Sequence, residues 1–161
     1  MNSLGDRMKQ YESVSKSKLV HRMPVILRLD GCHFHTFTKG FIKPFDEVLM
    51  ASMIRTMLFL CKSIQGCIFG YTQSDEISLI LVDYKKLNSS AWYDNEVQKM
   101  CSVASSLCTL AFNRIFREEV HKRVPEYFND KEKGKCLSAY NKAKETGTVF
   151  DCRAKKIPKE D

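Results

Sequence analysis

No stretch of this 161-residue chain is apolar for long enough to span a membrane. The segment Met1 to Lys18 is polar and of mixed charge, and lacks the apolar core of a signal peptide. These absences point to a cytoplasmic protein. No internal repeat and no low-complexity tract interrupts the sequence. Close C-x-x-C pairs, the mark of zinc and redox sites, are also missing from the seven cysteines at 32, 61, 67, 101, 108, 136 and 152. Cys61, Cys101 and Cys108 fall on apolar helical stripes and read as small buried hydrophobes in a reducing compartment. The four histidines, at 21, 33, 35 and 121, form no transition-metal set with them.

What remains is an ordinary soluble composition, with 43% hydrophobic and 28% charged residues in a length that suits one domain with a sizeable core. The net charge is +7, which suits a polyanionic partner. Lys and Arg crowd the stretch from Arg114 to Lys159. A nucleic-acid-facing lobe explains that crowding, and so does a solvated surface, since Glu and Asp are interspersed.

Hydrophobic periodicity outlines the elements. A short helix is expected near Gly5 to Ser13. Met23 to Leu29 is a nearly continuous apolar run and reads as a buried strand. Asp46 can cap a helix reaching Ile64, with Gly66 as its stop. Cys67 to Thr72 and Ile77 to Val82 read as two strands joined by a tight turn. A helix follows over about Ala91 to Glu119. The polar segment His121 to Gly147 shows no clear period and reads as loop, short helix or partial disorder, and Thr148 to Arg153 as a fourth strand. The expected division is a core over 1–120 and a basic polar segment with the fourth strand over 121–161.

Strand, helix, strand, strand, helix, strand is the split βαβ, ferredoxin-like α+β pattern: an antiparallel sheet with helices on one face. Its right-handed crossover leaves a gap between the first two strands, which the third fills antiparallel to the first. The start of the third strand then lies beside the end of the first. Asp30 follows the end of the first strand and Asp75 precedes the third, so the fold brings two acids to one sheet edge. Two carboxylates there suit Mg²⁺, which binds through one or two acids plus substrate phosphates. Gly31 permits close backbone approach to a cation or phosphate. His33, Phe34 and His35 flank the loop and could contact a nucleotide, although Phe34 also fits a core position. Glu76 is an auxiliary acid beside Asp75. Lys43, just before the first long helix, could reach a triphosphate, and a surface lysine fits equally.

The run Arg28-Leu29-Asp30-Gly31-x-x-Phe34-His35, then Lys43-Pro44, then Tyr71-Thr72-Gln73-Ser74-Asp75-Glu76-Ile77-Ser78, resembles the tRNA(His) guanylyltransferase family. The opening Leu4-Gly5-Asp6-Arg7-Met8-Lys9-x-Tyr11-Glu12 and the Lys99 to Ser105 helix are more similar to its bacterial and archaeal guanylyltransferase-like branch. The resemblance covers about residues 3–118. It implies a palm-like domain that adds nucleotides 3′-to-5′ to the 5′ end of tRNA, with two Mg²⁺ ions held by Asp30, Asp75 and the Gly31 backbone. Asp30, Gly31, Cys32, His33, Phe34, His35, Ser74 and Asp75 would line the nucleotide site, and Lys43 would contact triphosphate. GTP and ATP would be substrates, tRNA the acceptor, and the assembly a homo-oligomer, commonly a tetramer.

Two departures stand out. Cys32 and His33 replace a basic or small polar pair. The Trp-Arg-Gln-x-Asp region that follows an Ile-Pro in the family has no counterpart after Ile157-Pro158, so the family's C-terminal half, with its nucleotide and tRNA contacts, is expected to be missing. Two other readings use the same residues: a nucleotide cyclase-like enzyme, and a non-catalytic RNA- or nucleotide-binding palm-like module.

Overall fold

The computed structural model describes residues 3–131 and 133–156. It contains α1 (Leu4–Val14), β1 (Val25–Gly31), α2 (Phe34–Phe37), α3 (Glu47–Ser63), β2 (Cys67–Gln73), β3 (Glu76–Leu81), α4 (Val97–Phe128), α5 (Leu137–Thr146) and β4 (Phe150–Lys156), with short 3₁₀ turns at Trp92–Asn95 and Lys133–Cys136. The four strands form one sheet in the order β2-β3-β1-β4, with every neighbouring pair antiparallel. This is the expected α+β arrangement, with β3 in the gap between β1 and β2. Among the described residues, no helix is long and apolar enough to cross a membrane.

Alternation along the strands sets the layers. Val25, Leu27 and Leu29 of β1 are buried, as are Ile77, Leu79 and Leu81 of β3 and Phe150 of β4. This face packs on α3 and α4 through residues such as Met53, Leu60, Met100, Ala104, Cys108 and Phe112. Among the described residues, the opposite face carries no helix. The apolar run in β1 conceals this asymmetry, because Ile26 lies half-buried on the open face and Arg28 is exposed.

Helix ends follow local chemistry. Asp46 caps α3 by accepting from the Leu49 N–H at 2.8 Å. Although nearly fully buried, its carboxylate is satisfied: it also accepts from the Ile42 N–H at 3.0 Å and the Tyr140 hydroxyl at 2.6 Å. Gly66 ends the helix region at φ +80°, and a Cβ there would stand 2.6 Å from the Val82 carbonyl oxygen.

Two features depart from the periodicity. First, α4 starts at Val97, not near Ala91, because Tyr93, Asp94 and Asn95 all take left-handed conformations, with φ of 48°, 53° and 55°. Second, the His121 to Gly147 segment is largely helical. α4 runs on through Pro125 to Phe128, and α5 follows after a short turn. Their buried anchors are sparse among charges, which hides the period: Val120, Tyr127, Tyr140 and Ala143. The Tyr140 ring packs against Phe41 at 4.8 Å and Tyr127 at 6.0 Å, joining α5 to the main core. β4 then pairs along the whole of β1, from Val25↔Lys156 to Gly31↔Phe150. Ile157 and Pro158 lie outside the described residues.

A carboxylate is buried between the long helices. Glu119 accepts from Arg55 at 2.7 Å and from Arg123, and Arg55 also reaches Glu118 at 2.7 Å. Burial pushes the Glu119 carboxyl up, but hydrogen bonds from Arg123 and Arg55 outweigh it and hold the group below its ordinary value. A lowered folded value contributes stability above the unfolded value near ~4.3, lost as pH falls through the folded one. Glu119→Gln should therefore lower stability at pH 7 by about 1–2 kcal/mol. A fully buried pair would cost about 3–5 kcal/mol, but Arg55 is 44% exposed. Urea titrations at pH 7 and pH 3 should show this difference shrinking at the lower pH.

Candidate active site

Directly opposed residues of an antiparallel pair project from the same face of a sheet. Asp30 of β1 pairs with Glu76 of β3 and with Asp151 of β4, so three acids stand abreast on the open face. Two residues back, Arg28 pairs with Ser78 and Arg153. The two arginines partly neutralise the row. Arg28 forms an ion pair with Glu76, which also accepts from Ser78 Oγ at 3.2 Å. Arg153 approaches Asp151 at 3.7 Å. Asp30 is left, half-buried, with no hydrogen bond or ion pair among the described residues.

Asp75 reaches the same edge through the β2–β3 hairpin. Gln73 pairs with Glu76, leaving Ser74 and Asp75 as the connection, with Ser74 in the left-handed region at φ 55°. The Gly31 N–H donates to the Asp75 carbonyl at 3.2 Å, tying the hairpin to the end of β1. The Asp75 carboxylate is also unpaired among the described residues. Two free, half-solvated carboxylates thus lie at one sheet end, while Glu76 is held by Arg28 and Ser78. Among the described residues, no cluster of three or more His, Cys, Asp or Glu side chains is arranged to hold a metal. Two acids with unfilled lone pairs, and no complete protein cage, fit Mg²⁺ completed by water and phosphate oxygens.

The loop after Gly31 is held through both backbone groups of Cys32. The Cys32 N–H donates to the Val149 carbonyl at 2.9 Å, and Thr148 Oγ1 donates to the Cys32 carbonyl at 3.3 Å. His33 takes a left-handed conformation at φ 54°, directly before α2. The side chains of His33 and His35 are exposed, whereas Phe34 is buried, its ring 5.7 Å from Phe112 and 5.6 Å from Phe150. Phe34 can therefore offer a ligand only its backbone. Gly31 sits over this ring, and a Cβ there would stand 2.1 Å from a ring carbon of Phe34. Lys43 is exposed in the loop before α3, and its ammonium makes no hydrogen bond or ion pair among the described residues.

Sequence reasoning passed over the rest of the open face. Arg28, Ser78, Tyr71 and Lys155 line a shallow cavity of ≈ 260 Å³ with Glu76 and apolar Ile26, Phe69 and Ile80. The signal was the period of two: every second residue from Asp30 or Glu76 shares their face.

Known proteins offer the following likenesses. The family model described as tRNAHis guanylyltransferase matches residues 5–158. A bacterial tRNA(His) guanylyltransferase-like protein, solved in complex with GTP, is 39% identical with a TM-score of 0.77, over 99% of this chain and 65% of that one. The tRNA(His) guanylyltransferase of Saccharomyces cerevisiae, at 22% identity and TM-score 0.68 over 97% of this chain and 58% of its own, shares the fold. An uncharacterised protein of Acanthamoeba polyphaga mimivirus is 35% identical over 71% of this chain and 41% of its own length. tRNA(His) guanylyltransferase 2 of Arabidopsis thaliana is 32% identical over 60% of this chain and 18% of its own length. The chain spans less than half the length of these two curated relatives and about two thirds or less of the solved ones.

The contact beneath Gly31 gives a stability test. Gly31→Ala must displace a packed phenylalanine ring, which should cost about 1–3 kcal/mol. Denaturant unfolding of the variant would show it, and Gly31→Ala combined with Phe34→Leu should recover part of the loss.

Proposed function

This chain belongs to the tRNAHis guanylyltransferase family, and on that footing we propose that it is a nucleotidyltransferase adding nucleotides in the 3′-to-5′ direction to the 5′ end of tRNA. The observation that carries this reading is the meeting of Asp30 and Asp75 at one sheet edge, both without a protein partner, while the neighbouring acids are neutralised by arginine. A sheet that leaves its central carboxylate uncompensated sustains a like-charge cost, which a bound cation would relieve.

Asp30 and Asp75, with the Gly31 backbone, would hold two Mg²⁺ ions. Bound there, the ions would neutralise triphosphate charge and lower the pKa of an attacking hydroxyl. The protein's own residues do the positioning. Ser74 and the Cys32 to His35 loop, fixed by the Val149 and Thr148 contacts, would shape the nucleotide site. Exposed His33, His35 and Lys43 supply donors for phosphate or base. GTP and ATP are the proposed nucleotides, in keeping with the bacterial relatives solved with each. ATP or GTP would first activate the tRNA 5′-monophosphate by transferring its nucleoside monophosphate to it with release of pyrophosphate. The 3′-hydroxyl of the incoming nucleotide would then attack that 5′ phosphorus, break the new phosphoanhydride bond and displace the activating nucleoside monophosphate. The chain is proposed to work as a homo-oligomer, consistent with α1, which buries none of its residues and exposes Leu4, Met8, Tyr11 and Val14.

Asp30→Ala and Asp75→Ala should each reduce Mg²⁺-dependent incorporation of labelled GTP by about 10³-fold or more, equivalent to about 4 kcal/mol. The acceptor is a 5′-monophosphorylated tRNA lacking its first nucleotide. Calorimetry should also show loss of Mg²⁺-dependent GTP binding. Normal extension by the Asp75 variant would sink the assignment.

A further inference from the structure

Behind the Cys32–His33 loop, on the side away from the open sheet face, lies a cleft of ≈ 700 Å³ between α2, α4 and α5. Three permanent cations line it: Lys39, Arg117 and Lys142. His33 stands at its edge, and its lining includes no Asp or Glu. Among the described residues none of the three cations forms an ion pair. Arg117 is oriented by its Nε–H, which donates to the Lys144 carbonyl at 3.2 Å and leaves the rest of its guanidinium available. In a protein where most arginines beside the core find a carboxylate, an acid-free cleft with three unpaired cations calls for an anionic ligand.

The cleft's extent narrows the ligand. It shares Thr109, Asn113, Arg117 and Val149 with a second cavity of ≈ 820 Å³ running along the outer face of α4. The two form one groove, larger than the ~300–1,000 Å³ of a typical small-molecule site. The outer part offers Arg114 and His121, and its only acid, Glu118, is already bonded to Arg55. Exposed Leu110 and Val149 provide apolar contact between the cations. An elongated track of spaced cations with apolar intervals matches a nucleic-acid backbone better than one nucleotide. The track also leads to the candidate site, because the Cys32 backbone that forms its wall directly follows Asp30-Gly31.

We propose that this groove binds the phosphodiester backbone of the RNA substrate, with Lys39, Arg117 and Lys142 contacting successive phosphates close to the acceptor end. The inference rests on the proposed action on tRNA, but its test needs no catalysis. Binding of 5′-monophosphorylated tRNA lacking its first nucleotide is measured by fluorescence anisotropy, without nucleotide or Mg²⁺, across a salt series. K39E/K142E should weaken binding at least tenfold near ~0.1 M salt and reduce the slope of log K against log salt by about 1.5, two phosphate contacts at about 0.7–0.9 each. K62E/K85E, exposed lysines that line neither cavity, changes the net charge equally and should retain affinity and slope. K39Q/K142Q, with an unchanged melting temperature, serves as the fold control and should weaken binding less, in the same direction. Unchanged tRNA affinity in K39E/K142E, or an equal loss in K62E/K85E, would overturn the proposal. So would a K39E/K142E defect confined to GTP binding, which would mark a mononucleotide site. Groove-dependent tRNA binding by a chain that transfers no nucleotide would support the groove and sink the proposed reaction. Transfer that survives charge reversal at full rate would do the opposite.

Discussion

Burial of one aromatic ring governs the geometry of the candidate site. Phe34 lies under Gly31 and packs against Phe37, Phe112 and Phe150. That anchorage turns the chain sharply at the end of β1. The turn presents the Gly31 N–H to the Asp75 carbonyl and the Cys32 N–H to the Val149 carbonyl. A single ring contact thereby fixes the loop against both neighbouring strands. Without it, Asp30 would still pair with Glu76 in the β1–β3 ladder, but the Gly31–Cys32 backbone would lose the packing that sets it against Asp75 and Val149.

Much of this was legible from residue order. The strand, helix, strand, strand pattern implied that β3 fills the gap beside β1, and the Asp30↔Glu76 register bears that out. Asp46 capping and the Gly66 stop were readable because each acts through its own backbone neighbourhood. Long-range effects were not. The left-handed run Tyr93-Asp94-Asn95 has no glycine to announce it; it is held where Leu19 N–H meets the Asn95 carbonyl and where Lys18 and His21 meet Asp94. α5 was hidden because its anchors, Tyr140 and Ala143, are few, and their partners Phe41 and Tyr127 are distant in sequence. Gly31 was read as a site for ligand approach, whereas the structure adds the Phe34 ring, three residues on, as a second reason for glycine that depends on how the ring is buried.

The open face shows how stability and chemistry share one surface. Three acids abreast would repel, and arginines on β1 and β4 compensate the outer two. The uncompensated member is the central one, next to the hairpin that brings Asp75. Charge is thus concentrated where the sheet has a neighbour able to share it, and relieved elsewhere. Behind the same loop the sign reverses, with lysines and arginine unmatched by acids. The two faces of one short segment, Asp30 to His33, therefore carry opposite fields.

β1 lies between a strand that follows it closely in sequence and one that arrives more than a hundred residues later. During synthesis, β1, α3, β2 and β3 can assemble first, bringing Asp30 and Asp75 together while β1 still has a naked edge. That edge stays open until α4, α5 and β4 have left the ribosome, since closing so distant a pairing is entropically slow. The carboxylate pair therefore draws only on the part of the chain up to β3. The wall formed by Thr148 and Val149, and the basic groove behind it, need α4, α5 and the approach to β4 as well, so the acid and basic sides of one loop draw on different lengths of the chain.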